Sequence, residues 1–146
     1  MNSNPEQPMN TIATRLARHG DLEAVAVLFD AYRQFYEQPA DLPLAHRYVT
    51  DRFMNKESVL IVAEDRVAML VGFTQLYPAF CSVRAAHTYV LYDLFVNPAA
   101  RGTGAGHALM MAAEAHARKE GAARMELSTA RTNKIGQSLY ESVGYG

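Results

Sequence analysis

Apolar positions recur along the chain with two different periods. Leu22, Val25, Phe29 and Tyr32 lie at helical spacing and predict a first helix that Asp21 caps and Pro39 ends. A similar stripe after Asp41 predicts a second helix. Short apolar runs predict five strands, at 11–17, 58–63, 67–77, 84–96 and 124–128. Residues 78–83 are predicted to form a loop, Gly72 a bulge or a close backbone approach, and 133–142 a short last helix.

We expect the rest of the fold to be arranged around residues 88–120. Residues 89–96 are apolar except for Asp93 and predict a strand buried on both faces, which Pro98 stops. A glycine-rich loop at 101–106 follows, and then a helix whose core stripe ends before Gly121. This unit is a strand, a glycine loop and a helix in direct succession.

The order of elements predicts the fold class. It reads strand, two helices, three strands, helix, strand, helix. We expect an α/β (α+β mixed) protein with a central, largely antiparallel sheet, one parallel strand pair and helices on both faces. Residues 11–146 form one domain after a flexible polar tail at 1–10.

Composition narrows the functional classes. The 146 residues carry a net charge of −1, so neither a nucleic acid nor a membrane is an expected partner. The single cysteine, Cys81, excludes an internal disulfide and suits a cytoplasmic location. The five histidines lack metal-ligand spacing, and we predict no metal site.

The glycine loop predicts anion binding. Its glycines allow sharp turns that present backbone N–H groups, and the helix behind it adds unpaired N–H groups and a positive dipole end. A Walker loop would end in Gly-Lys-Ser/Thr, whereas this loop continues as Gly106-His107-Ala108. A dinucleotide fingerprint needs a different glycine spacing. The pattern R-x-x-G-x-G, from Arg101 to Gly106, remains.

That hexapeptide, with the strand before it, resembles the acetyl-CoA pyrophosphate loop of the GNAT superfamily of N-acetyltransferases. Residues 133–145 resemble the family's N-x-x-A-x-x-L-Y-x-x-x-G-F/Y segment, with Gly136 in place of alanine. The resemblance implies the GNAT fold and acetyl transfer from acetyl-CoA to a primary amine, by direct attack in a ternary complex. It also implies that Tyr140 protonates the leaving thiolate. The cofactor contacts that it implies are Phe95, Val96, Arg101, Gly102, Thr103, Gly104, Ala105, Gly106, His107, Asn133 and Tyr140.

The proton acceptor is less sharply defined. Asp93 is the only acid in its strand, and a buried carboxylate is either paired or functional. Polyamine-type relatives resemble this segment with an acidic pair, but here the first position is Tyr92. Asp93 is therefore a candidate base or a structural hydrogen-bond acceptor, and Tyr92 and Glu37 are further candidates.

Residues 32–37 resemble the first-helix region of the polyamine and small-basic-substrate branch. Tyr32, Tyr36, Glu37 and Tyr92 are the predicted acceptor-binding residues, because aromatic rings and a carboxylate attract an ammonium group. The alternative is that residues 32–37 are simply the buried and solvated sides of an amphipathic helix. The expected acceptor is a small-molecule amine or a lysine-like peptide amine.

Two alternative functions remain open, and two further expectations concern the oligomeric state and the C-terminal strands. A non-catalytic acyl-CoA sensor on the same fold, or a nucleotide-binding loop, are the alternative functions. We expect a homodimer. The family's tyrosine-bearing helix leads into a further strand, so the chain is expected to lack its C-terminal strand or strands.

Overall fold

A computed structural model describes residues 11–128 and shows one five-stranded sheet with the order β1-β2-β3-β4-β5. The strands are β1 (Ala13–Leu16), β2 (Val59–Glu64), β3 (Leu70–Cys81), β4 (Ala86–Val96) and β5 (Met125–Leu127). The helices are α1 (Leu22–Phe35), α2 (Leu42–Met54) and α3 (Ala105–Lys119), with short 3₁₀ turns at His19–Asp21 and Pro98–Ala100. Neighbouring strands are antiparallel except for the parallel pair β4 and β5. The predicted fold class is confirmed.

The sheet separates two hydrophobic cores. One core packs α1 and α2 against one face of the sheet and includes Phe73 of β3 and Phe95 of β4. The other packs α3 against the opposite face and includes Leu76 and Leu91. The strands β2, β3 and β4 therefore divide their side chains between two helical layers, as the long apolar runs in the sequence predict.

The predicted limits of β3 were wrong at both ends. Residues 67–69 belong to the turn after β2, because the Asp65 carboxylate accepts hydrogen bonds from the backbone N–H groups of Val67 and Met69 at 3.0 and 2.9 Å. At the other end, Pro78–Cys81 continues the strand instead of forming a loop, and Pro78 pairs with Tyr89. Pairing of β3 with β2 stops at Leu76, so beyond it β3 is an edge strand, where proline costs no ladder hydrogen bond.

Gly72 lies at a close approach of β3 to β4 and α3. A Cβ atom at this position would lie 2.8 Å from the backbone oxygen of Phe95 and 3.2 Å from a Leu109 methyl group. The β2–β3 register also shifts beside it, between Ala63 and Glu64. The sequence prediction of a bulge or a close backbone approach at Gly72 is confirmed in both forms.

A second bulge reorients the middle of β4. Gln75 pairs with Asp93 but the next residue, Leu76, pairs with Leu91, which leaves Tyr92 as the extra residue. Leu91 and Leu94 both face the α3 core. A regular strand would place one residue between two such positions, but here two residues, Tyr92 and Asp93, lie between them. The prediction that β4 is buried on both faces therefore fails at Tyr92, whose side chain is 54% exposed.

The start of α1 is tied to the sheet edge by charge. The Arg15 guanidinium donates to both carboxylate oxygens of Asp21, at 2.7 and 3.0 Å, and to Glu64 at 3.4 Å. Asp21 also accepts from the backbone N–H of Arg18. Asp21 immediately precedes α1 as predicted, but its carboxylate joins β1 to the 3₁₀ turn and does not cap α1 itself.

Within residues 11–128, no helix has both the length and the apolar character needed to cross a membrane.

Candidate functional site

The glycine loop turns through two left-handed residues before α3 begins. Gly102 and Gly104 have φ angles of +84° and +87°, a region that favours glycine. Gly104 is the N-cap residue, so α3 starts at Ala105, and Gly106 lies in its first turn instead of preceding the helix. The Thr103 hydroxyl donates to the carbonyl of Ala100 at 2.6 Å and closes the loop.

The N-terminus of α3 is available to an anion. Among the described residues, no side chain caps this end of the helix, and the first turn contains no acid. Its first backbone N–H groups and the positive end of the helix dipole are therefore not neutralised by a described side chain. The glycine at the N-cap leaves no Cβ in the way of an approaching phosphate.

Arg101 links this loop to the end of β4. Its Nε donates to the carbonyl of Val96 at 3.3 Å, and its guanidinium carbon lies 5.7 Å from the centroid of the Phe95 ring. Phe95 is buried in the α1–α2 core and Val96 is half-buried on the α3 side. Positive charge is thus held beside the loop at the point where β4 ends.

A cluster of tyrosines covers the α1–α2 face of the sheet near the β4 bulge. We call it the tyrosine cluster, and it consists of Tyr32, Tyr36, Tyr48, Tyr77 and Tyr92. The Tyr32 and Tyr36 rings lie 5.2 Å apart, and those of Tyr77 and Tyr92 lie 5.6 Å apart. The hydroxyls of Tyr48 and Tyr77 form a 2.7 Å hydrogen bond, and the Tyr32 hydroxyl donates to the Tyr92 carbonyl at 3.4 Å. The cluster joins α1, α2, β3 and β4.

Asp93 lies beside this cluster at the bulge and is 6% exposed. Its carboxylate accepts a hydrogen bond from Gln75 Nε2 at 2.8 Å, and its backbone carbonyl accepts from the Thr74 hydroxyl at 2.7 Å. Gln75 Oε1 in turn accepts from the Ser58 hydroxyl at 2.7 Å. The carboxylate is therefore buried but partnered, which is the arrangement that a stable buried acid requires.

Burial raises the pKa of the Asp93 carboxyl above its usual value, while hydrogen bonds from Gln75 and Tyr32 act in the opposite direction. Burial and the hydrogen bond to Tyr48 raise the pKa of the Tyr77 hydroxyl, with a further contribution from the nearby charge of Asp93. A carboxylate whose pKa is raised by desolvation is a better proton acceptor than an exposed one.

The structure brings Tyr32, Tyr36, Tyr92 and Asp93 together. Glu37 directly follows Tyr36 just beyond the end of α1, where it is exposed and has a left-handed φ of +65°. His107 is exposed in the first turn of α3. Asn133, Tyr140 and the predicted helix 133–142 lie outside the described residues.

Sequence reasoning missed four residues of this site: Ser58, Gln75, Tyr48 and Tyr77. Gln75 offered one signal, since it is the single amide in an otherwise apolar part of β3 and is 1% exposed. The other three approach the site only through tertiary packing and strand register, which the local pattern does not contain.

Comparison with known proteins agrees with this geometry. The model of the acetyltransferase (GNAT) family matches residues 22–145. An uncharacterized N-acetyltransferase, YhfO of Bacillus subtilis, is 45% identical over 131 residues, covering 90% of this chain and 87% of its own. A crystal structure of a probable acetyltransferase superposes with a TM-score of 0.84 at 34% identity, over 93% of this chain and 89% of that one.

A further neighbour shares the fold at lower identity. It is the aminoglycoside N-acetyltransferase AAC(6')-Iy in complex with CoA, with a TM-score of 0.78 at 19% identity, over 99% of this chain and 92% of that one. The sheet, its parallel strand pair and the glycine loop define an acyltransferase fold. The chain belongs to the acetyltransferase (GNAT) family, and the predicted family and enzyme class are confirmed.

Proposed function

We propose that this protein transfers an acetyl group from acetyl-CoA to the primary amine of a small molecule or a lysine-like side chain. The amine attacks the thioester directly in a ternary complex. The observation that carries the proposal is the position of Asp93, a buried and partnered carboxylate beside a cluster of tyrosines, three residues before the end of the strand that leads into the glycine loop.

The glycine loop supports acetyl-CoA as the donor. The uncapped N-terminus of α3, the left-handed Gly104 and the Arg101 guanidinium together suit a pyrophosphate. The residues proposed to contact the donor are Phe95, Val96, Asn133, Tyr140 and 101–107. Acetyl-CoA supplies the activated acetyl group, and the N–H groups near Val96 are proposed to polarise the thioester carbonyl.

The Asp93 carboxylate and the tyrosine rings around it support an amine acceptor. An ammonium group is attracted both by a carboxylate and by the faces of aromatic rings. Attack needs the neutral amine, so a proton must leave before the new N–C bond forms. Asp93 is proposed to accept it, directly or through water, while Tyr32, Tyr36 and Tyr92 orient the acceptor. Glu37, exposed and next to Tyr36 in the chain, is a further candidate for both roles.

Tyr140 is proposed to return a proton to the CoA thiolate as it leaves. Tyr140→Phe should keep CoA binding and lose turnover by ~100- to 10,000-fold, the usual contribution of acid catalysis. The measurement pairs calorimetry with CoA and a thiol-release assay. Parental turnover in Tyr140→Phe would assign this tyrosine to packing.

A turnover screen tests the proposal as a whole. Acetyl-CoA is mixed with polyamines, amino acids, aminoglycosides or basic peptides, and thiol release is compared with that from acetyl-CoA alone. We expect acceptors with a flexible primary amine to be favoured and their neutral hydroxyl analogues to be inert. CoA binding without turnover on any amine would overturn the proposal.

A further inference from the structure

The buried side chain of Gln75 has no role in the family resemblance or in the proposed mechanism. It lies on β3 directly opposite Asp93 in the strand register and is 1% exposed. An uncharged amide in such a place must satisfy both its donor and its acceptor to avoid a desolvation cost. Both are satisfied, by Asp93 on one side and by Ser58 on the other.

The two hydrogen bonds fix the direction of the amide. An ionised carboxylate only accepts hydrogen bonds, so the Gln75 atom facing Asp93 is the NH₂ group. The remaining oxygen faces Ser58, whose hydroxyl donates to it. Reversing the amide would place an oxygen against the ionised carboxylate and lose that bond, whereas the Ser58 hydroxyl can either donate or accept. In the observed direction both bonds form, so the contacts with Asp93 and Ser58 together hold Gln75 in the orientation that stabilises the charged form of Asp93.

We propose that Gln75, held by Ser58, is a positioning residue that keeps the Asp93 carboxylate ionised and oriented toward the tyrosine cluster. This inference rests on the proposed role of Asp93 as proton acceptor. Without Gln75, burial would act on Asp93 with only Tyr32 opposing it, and the carboxyl would remain protonated to higher pH. A protonated Asp93 cannot take a proton from the attacking amine.

Three variants test the chain of contacts. Gln75→Leu removes the donor at similar volume, Ser58→Ala removes only the hydroxyl that donates to the amide oxygen, and Gln75→Glu replaces the donor with a second carboxyl. We expect the titration of the Asp93 carboxyl to move to higher pH in the order Ser58→Ala, Gln75→Leu, Gln75→Glu. At the pH where the parent reaches half of its maximal kcat/KM, Gln75→Leu should lose roughly fivefold, as expected when one hydrogen bond to a charge is lost.

Thr74→Val is the matched control. The Thr74 hydroxyl donates to the backbone carbonyl of Asp93 and not to its carboxylate. This variant should lower the melting temperature while the Asp93 titration stays at the parental pH. If Gln75→Leu acted only by disturbing the bulge, Thr74→Val would shift the Asp93 titration by a similar amount.

The titration is read by NMR of carboxyl-labelled aspartate, with Asp93→Asn identifying the Asp93 signal, and by the acidic limb of kcat/KM with the best acceptor of the screen. Parental titration in Gln75→Leu or, if that variant does not fold, in Gln75→Glu, would overturn the inference. If Asp93→Asn keeps the parental kinetic profile, the proposed role of Asp93 fails instead. The two failures are thus distinguishable.

Discussion

A single carboxylate sets the character of the site at the scale of one residue. Asp93 is desolvated by the same packing that stabilises the fold, and its partners offset only part of that cost. Its folded pKa lies above the usual value for aspartate, which is about 3.9 in an unfolded chain. Between those two values the folded protein binds the proton more tightly than the unfolded chain.

Asp93→Asn should therefore change how stability depends on pH. In the parent, stability falls as the pH rises from the unfolded to the folded pKa of Asp93, because the folded state must release a proton it holds more tightly. The variant lacks this titration and keeps an acceptor for Gln75. We expect it to melt at the parental temperature or above it at pH 7, and to lose any advantage below about pH 4. Thermal melts across this range provide the measurement.

The opposite result has a clear meaning. If Asp93→Asn is markedly less stable than the parent at pH 7 but equal to it near pH 4, the charged carboxylate stabilises the fold. Asp93 would then be a structural acceptor of hydrogen bonds, the alternative that the sequence left open.

The glycine loop and α3 act together at the scale of one element. Gly104 has a left-handed φ, and no atom of residues 11–128 lies within 4 Å of a Cβ built on it. Valine there would cost backbone strain of about 1–2 kcal/mol and would also place a branched side chain where the phosphate is proposed to bind. Gly104→Val should lose CoA affinity by at least tenfold while the protein remains folded.

Gly121, at the other end of α3, provides the control. It also has a left-handed φ, +74°, and no atom from the described part of the chain lies within 4 Å of its Cβ position. Gly121→Val should carry a similar loss of stability with parental CoA affinity in calorimetry. Equal CoA affinity in both variants would show that the loop is not the donor site.

The elements differ in how far the sequence predicted them. Helices α1 to α3 and the loop were predictable because apolar stripes and glycines act within a few residues of one another, as in α1 and around Gly104. The ends of β3 were not, because Asp65 bonds to its own turn and Pro78 is tolerated only where β2 no longer pairs. Asp93 was identified as the exceptional acid, but Gln75 and Ser58 reach it through a register that no local pattern contains.

At the scale of the whole molecule, the sheet lies between the two cores, and Gly72 is packed closely against both β4 and α3. A methyl group there would collide with the Phe95 carbonyl of β4 and press on Leu109 of α3. Because the nearest atom belongs to a backbone, relief requires β3 and β4 to separate. Gly72→Ala should lose about 1–3 kcal/mol, typical of overpacking.

Gly20→Ala serves as the comparison, since no described residue has an atom within 4 Å of its Cβ position and its φ is not left-handed. Urea or thermal unfolding of both variants gives the measurement, and Gly20→Ala should stay within ~0.5 kcal/mol of the parent. A Gly72→Ala variant as stable as Gly20→Ala would mean that the contact between β3 and β4 adapts without cost.

The extra residue in β4 also limits how this chemistry can be transplanted. In a regular strand, side chains alternate between the two faces, so only one residue can stand between two leucines that face the same core. The bulge allows two, Tyr92 and Asp93, between Leu91 and Leu94. Grafting the aspartate alone into a regular strand of a related protein would thus lose its exposed aromatic neighbour. A successful graft has to carry the one-residue insertion together with the acid.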